Sequence, residues 1–421
     1  MRQNTLCIFG ALTVLLLLGT ASSDRRQHEA PAGFDSNTNG FTSQTTFDAD
    51  LDVFAEEEEV ADGLGPVFNE RGCATCHSVP VVGGSSNTVR ELRAGHYDKE
   101  RRKFIDHPGG SLIHAFTICE DLAALPDVDI TKSQCTKELQ EKILPGYEVQ
   151  TFRASNSVLG DGYVEAIADD TLRDIASDQR AKSDGRVRGQ VISVPVLEAG
   201  GALRVGRFGW KNQHASLVSF AADAYLNEMG ITSPLQPTEN TSNGRSVEAY
   251  DRVPDPEDNG EDIESFASFM RATKVPPRNT ALADTADAQA GEFLFNKIGC
   301  ALCHVPTIVT APPGTPINGG KFRVPEALGN KRIHPYSDFL LHNIGTGDGI
   351  VQNGGRSTRN KVRTAPLWGL RTRKLLMHDG ESTTPREAIQ RHRGEAEDVI
   401  AEYEELSDAQ QHQILTFLKS L

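Results

Sequence analysis

The pattern Cys-x-x-Cys-His occurs twice, as Cys73-Ala74-Thr75-Cys76-His77 and as Cys300-Ala301-Leu302-Cys303-His304. One such unit can do two jobs on a haem. Its thiols add across the porphyrin vinyls, and the adjoining imidazole reaches the iron as an axial ligand. Chance places a unit of this kind in roughly 0.3% of chains of such composition and length, so two copies point to two covalent c-type haems. Cys73, Cys76 and His77 would hold one, and Cys300, Cys303 and His304 the other. Zinc would ask for two Cys-x-x-Cys pairs without a fixed His after each, and a thioredoxin-like redox pair has no use for the His. With one imidazole on each iron, function turns on the opposite face. Two strong protein ligands make an electron-transfer haem, whereas an open face can bind peroxide or oxygen.

For the second unit the candidate on that opposite face is His392. Thr384-Pro385-Arg386-Glu387 is a capping box with Pro at the first helical position. A helix starting there turns Ala388, Ile389 and His392 to one apolar, inward side. Met377, the thioether that a high-potential cytochrome would want, and His378 are rivals in a turn with Asp379-Gly380. For the first unit no residue stands out. His96, His107 and His114 follow His77 and read as surface or supporting groups. The first iron is therefore expected to be the reactive one.

The elements that must position these residues read as mainly α, in two c-type cytochrome-like domains, the first enlarged by long loops and a small hairpin. Val60, Leu64 and Phe68 recur every four residues and predict a helix running into the first unit. Phe293, Leu294 and Ile298 lead into the second in the same way. Asp262–Thr273 reads as a helix closing the first domain, and a helix capped by Ser407, with Ile414, Leu418 and Leu421 on one face, closes the second. Ser193–Val205 alternates as a short hairpin, and the Pro- and Asp-rich stretch Thr232–Glu261 as an exposed excursion. The expected divisions are a signal peptide at 1–23, a flexible lead-in at 24–45, the reactive-haem domain at 46–278 and the electron-transfer domain at 279–421.

The chain's 421 residues suffice for two or three domains. Arg2, the apolar run Leu6–Leu18 and Ala21-Ser22-Ser23 form a secretory signal pattern with cleavage after Ser23. No later stretch is long enough to span a membrane, so none is expected in the mature chain. Cys7 leaves with the signal, four cysteines serve haem, and Cys119 and Cys135 remain, available for a disulfide in an oxidising compartment such as the periplasm. A formal net charge of −15 disfavours nucleic acid and favours a basic partner. The Glu56–Glu59 run reads as a solvated face.

Arg363-Thr364-Ala365-Pro366-Leu367-Trp368-Gly369-Leu370, Met377-His378-Asp379-Gly380 and Glu387-Ala388-Ile389 together resemble the C-terminal domain of bacterial di-haem cytochrome c peroxidases. They are also similar to the di-haem enzyme that matures the quinone of methylamine dehydrogenase. The Gly72–His77 stretch and the segment from Ala388 to Ala396 bring the chain closer still to a family of bacterial di-haem oxidoreductases. The resemblance covers about residues 60–421. In those relatives the second iron takes its sixth ligand from a position fourteen residues after the His of His-Asp-Gly, and counting from His378 reaches His392. A His there replaces the peroxidase Met and implies a bis-His, low-potential haem.

The resemblance also implies an acid/base near the open iron. Asn227-Glu228-Met229-Gly230, after Arg207-Phe208-Gly209-Trp210-Lys211, resembles the segment that carries the catalytic Glu, so Glu228 is the first candidate. Glu165, in Gly160–Ala166, is the second. The Gln that accompanies this Glu in the relatives has no match, and Phe220 sits near its place. Trp210 resembles the Trp lying between the haems, where it relays electrons. The relatives also hold calcium between their domains, on largely backbone ligands that no motif here locates. The reading is a periplasmic di-haem oxidoreductase of peroxidase type, drawing electrons from a small donor protein, a cytochrome or a cupredoxin, and passing them to peroxide or another small oxidant. A di-haem electron carrier without turnover, and oxidation of a protein or organic substrate, are the alternatives.

Overall fold

The computed structural model describes residues 27–126 and 130–421, so the signal-peptide expectation for 1–23 lies outside the described residues. Three helices frame the first half. Gln44–Ala55, capped by Ser43, buries Phe47 and Phe54. Glu261–Ala272 answers with Ile263, Phe266, Phe269 and Met270. The Phe54 ring lies 4.7 Å from that of Phe269 and meets Phe266 edge-on at 6.0 Å. Leu217–Ala224, capped by Ser216, completes the frame and unwinds into a single π turn, Tyr225–Met229. Such turns displace side chains from the ordinary helical register, and this one carries Glu228.

The mainly-α expectation is wrong: the chain is 35% helical and 16% strand, in many small sheets. The largest sheet joins Arg90–Asp98 with Lys103–Asp106, Leu112–Ile113 and Val149–Ala154, all antiparallel. Its central strand was illegible because every second residue on one side, Glu91 and Arg93, is charged and faces a cavity. Hydrophobic alternation cannot reveal a strand whose inward face is ionic. The helix expected through Val60, Leu64 and Phe68 also fails. Only Val60–Asp62 makes a short 3-10 turn, and Val67–Phe68 is a strand paired with Phe116–Thr117. Pro66 lacks the N–H a helix would need. Gly65 also packs so tightly on Gly230 that a Cβ would come within 2.5 Å of its Cα.

Other expectations hold. Ser193–Val196 and Ala202–Val205 form the hairpin. The capping boxes at Thr384 and Ser407 start the helices Pro385–Gln390 and Asp408–Lys419. Cys119 and Cys135 form a disulfide. The lead-in expected to be flexible at 24–45 differs from that reading over its described part: His28–Glu29 adds a parallel strand to Lys331–Arg332, and the Asn39 amide donates to the carbonyls of Arg271 and Thr273.

Apolar packing gathers into a large cluster around the first framework and a smaller one from Leu294 to Leu421. The larger also takes in Ile308, Leu328, Ile333, Phe339 and Trp368 from the later part of the chain. In the smaller, the helices Ala286–Lys297 and Asp408–Lys419 touch backbone to backbone at Gly291, where a Cβ would lie 1.9 Å from the Gln413 carbonyl oxygen. Gly291→Ala is therefore expected to destabilise the protein by about 1–3 kcal/mol through overpacking. Urea unfolding checks this, and an unchanged midpoint would mean the two helices do not approach so closely.

Candidate functional site: two cavities sharing a wall

Each Cys-x-x-Cys-His unit lines its own cavity. Cys73–Cys76 is one helical turn and Cys300–Leu302 a 3-10 turn, so in each case the two thiols fall on one side with the His just beyond. Burial pushes the Cys73 and Cys300 thiols up to about 12, and those of Cys76 and Cys303 also upward. Among the described residues the one thiol-bearing group of possible metal ligands is Cys303 with Asp338 and His342; it leaves out Cys300 and His304, so neither unit gathers its own two thiols and imidazole into a zinc set. Two protonated thiols and one imidazole beside an apolar hollow fit the vinyl chemistry of a haem instead.

All three proposed iron ligands are fixed alike. The Nδ1 of His77 lies 3.1 Å from the Gly84 carbonyl, that of His304 3.0 Å from Tyr336, and that of His392 2.7 Å from Ala388. A carbonyl on Nδ1 selects the tautomer in which Nε2 keeps its lone pair for a metal. Burial lowers the pKa of His77 and His392, and takes His304 to about 4, so the rings stay neutral.

The ring centroids of His304 and His392 lie 6.4 Å apart, their planes tilted at 59°. Two imidazoles sharing one metal place each Nε2 about 2 Å from it and each centroid about 1.2 Å further back, about 6.4 Å in total. The pair therefore fits one iron. Met377 and His378 line the same cavity, but His392 is the residue whose ring opposes His304. A buried group missed in the sequence also stands here. His342 bonds Asp338 and Glu395 at 2.8 and 3.0 Å and lies 3.8 Å from the Cys303 sulfur.

The first cavity differs. It measures about 470 Å³ against about 190 Å³ for the second, and His77 is the only histidine in its lining among the described residues. His96 pairs with Glu148 at the surface. His107 is buried and accepts from the Leu144 N–H. His114 spends both nitrogens, on Glu141 and the Asn227 carbonyl. What the first cavity offers is Glu228, whose carboxyl accepts from the Asn69 amide at 2.9 Å and stands close enough to Glu91 for each to shift the other's titration. Arg93 holds Glu91 bidentately at 2.6 and 3.0 Å. Burial works against ionising Glu91, but Arg93 outweighs it and keeps the carboxylate charged. Burial, then the Glu91 charge, push Glu228 up to about 8. The surroundings thus favour a proton on Glu228 and the ionised form of Glu91.

Glu165 lines neither cavity. It is fully buried and spent on Arg271 at 2.7 Å, the Asn318 amide at 2.9 Å and the Leu217 N–H at 2.8 Å. Burial would raise its pKa, but Arg271 prevails and lowers it. Glu165 is a structural carboxylate, corrected from its place as an acid/base candidate. Phe220, in the position expected of a Gln, lies between Phe208 and His214, at 5.9 and 5.6 Å. Trp210 lines both cavities, donates to the Ala154 carbonyl at 2.7 Å and meets the His378 ring at 6.1 Å. Glu91, Arg93, Asn69 and His342 were missed because no motif marks them. The charged alternation Arg90-Glu91-Leu92-Arg93 was the one available signal.

Residues 123–421 match the model of the family described as "Di-haem oxidoreductase, putative peroxidase". No curated protein matches the chain. Among solved structures it resembles a hydrazine synthase of Kuenenia stuttgartiensis, at 13% identity and TM-score 0.41 over 100% of both chains. It also resembles a MauG-like protein associated with microbial copper homeostasis, at 14% identity and TM-score 0.39 over 94% of both chains. No helix among the described residues is long and apolar enough to cross a membrane. The family match spans well over half of the chain and includes the second Cys-x-x-Cys-His unit, so the protein belongs to the di-haem oxidoreductases and works as a redox protein with haem as its cofactor.

Proposed function

We propose that the protein is a periplasmic c-type oxidoreductase that takes electrons in at the C-terminal haem and reduces peroxide at the N-terminal one. The observation that carries this reading is the asymmetry of the cavities. One brings two imidazoles, His304 and His392, to a spacing that suits a single iron, while the other sets a carboxyl pair in its wall and, among the described residues, no second imidazole. A haem held by Cys300, Cys303, His304 and His392 supplies an electron relay, and one held by Cys73, Cys76 and His77 supplies the iron at which an O–O bond is reduced.

The protein's own residues then do the rest. Hydrogen peroxide needs two electrons and two protons to become two waters. The ionised member of the Glu228–Glu91 pair accepts the proton from the near oxygen and the protonated member gives one to the leaving oxygen, which departs as the first water; the donor protein supplies the two electrons, and solvent the two protons, that make the near oxygen the second. Arg93 keeps the pair singly protonated, and Asn69 fixes the Glu228 carboxyl. Trp210, in the wall common to both cavities, would relay the electrons. The Cys119–Cys135 disulfide supports an oxidising compartment. The chain's negative charge suits a basic donor protein such as a cytochrome or cupredoxin.

Stopped-flow mixing of half-reduced protein with hydrogen peroxide tests the reading. Glu228→Gln is expected to slow the reaction about 10²–10⁴-fold, the usual worth of a positioned acid/base. A rate unchanged by that substitution would remove Glu228 from the chemistry. Stability offers a second check. Because Glu228 is raised from 4.5 to about 8 on folding, the folded state binds its proton the tighter. Its stabilising contribution is complete below pH 4.5 and is lost as pH rises towards 8. Glu228→Gln should therefore gain on the parent as pH is raised from 5 to 8 in chemical unfolding, and parallel curves would contradict the shared proton.

A further inference from the structure

Five arginines line the two cavities, and three of them are matched by carboxylates. Arg90 pairs with Glu381 at 2.7 Å, Arg93 with Glu91 at 2.6 Å and Arg153 with Asp348 at 2.8 Å. Arg363 and Arg373 have no such partner among the described residues. Arg373 donates to the carbonyls of Pro366 and Trp368. Arg363 is only 5% exposed, donates from one Nη to the Arg207 carbonyl at 3.2 Å, and keeps its Nε sealed from solvent without any acceptor. A buried guanidinium left so incompletely satisfied carries a heavy desolvation cost. Burial pulls its pKa down to about 10, with Asp161 the only carboxylate opposing that shift. Asp161 is itself driven up to about 7 by burial and is a weak counter-charge at neutral pH.

Arg363 lines both cavities, as do Trp210 and Ala154. It is held rigidly there. Its N–H donates to the Trp210 carbonyl at 2.8 Å, its strand pairs with Leu341, and the Phe339 ring lies 5.9 Å from its guanidinium. A planar fork of donors fixed in a largely apolar wall is built for a carboxylate. The carboxylates that the family's cofactor brings into such hollows are haem propionates.

We propose that Arg363 is a carboxylate anchor shared by the two haems, its guanidinium taking a propionate of the group in each cavity. This rests on the reading that both cavities hold haem. One cation then serves two anions, satisfies the orphaned Nε, and ties the electrostatics of the two irons together through a single side chain.

The test uses the full-length holoprotein and its Arg363→Gln and Arg363→Lys variants. Potentiometric titration, with the two haems followed optically, is expected to show both midpoint potentials falling in Arg363→Gln, since removing a nearby cation favours both oxidised irons. Arg363→Lys, which keeps the charge and loses the fork, should show smaller falls. The propionate bending bands of both haems in resonance Raman spectra should also shift in Arg363→Lys, and this reading stands even where Arg363→Gln does not accumulate. Potentials and bands unchanged in both haems, or changed in one alone, would overturn the shared anchor. Parent protein without thioether-linked haem would instead overturn the reading on which it rests, a result visible from its absorption spectrum alone.

Discussion

A neutral imidazole can bind a metal only through the nitrogen that is not already spent. In this protein three imidazoles have the other nitrogen tied to a backbone carbonyl, at Gly84, Tyr336 and Ala388. That constraint does more than orient rings. It leaves Nε2 unspent on two carbonyl-tied imidazoles in the second cavity and on one in the first, the asymmetry on which the proposed division of electron transfer from chemistry rests. Cys-x-x-Cys-His supplies the first ligand of each by local geometry. The difference between the cavities comes from a single capped helix, Pro385–Gln390, whose end delivers His392.

The two cavities are held in register by buried charge. Arg153, on the strand next to Glu91, and Lys211, one residue past Trp210, both bond Asp348 from the later part of the chain at 2.8–3.0 Å. All three side chains are essentially inaccessible to solvent. Such a triad adds little net stability over apolar packing, but breaking it by removing one member costs about 3–5 kcal/mol, so it specifies one arrangement of the shared wall. Trp210 and Arg363 stand in that wall, lining both cavities.

Much of this was legible in the residues. Ligand spacing, capping boxes at Thr384 and Ser407, the Ser193–Val205 hairpin and the Cys119–Cys135 pairing are local features, decided by neighbours in the chain. What escaped were strands whose inner face is ionic and groups gathered from distant segments. Nothing in the sequence marks Glu91 until Glu228, more than a hundred residues on, is placed beside it. Glu165 stands second to Glu228 as a candidate in the sequence, and only Arg271 and Asn318, brought in from distant segments, show it engaged elsewhere. The missed sheet has the same origin, since a cavity lined by charge hides the alternation that ordinarily betrays a strand.

Electron paramagnetic resonance of the oxidised holoprotein, with and without cyanide, bears most directly on the central asymmetry. The account predicts one low-spin iron indifferent to cyanide and one high-spin iron that cyanide converts to low spin. Two low-spin irons that both ignore cyanide would contradict it.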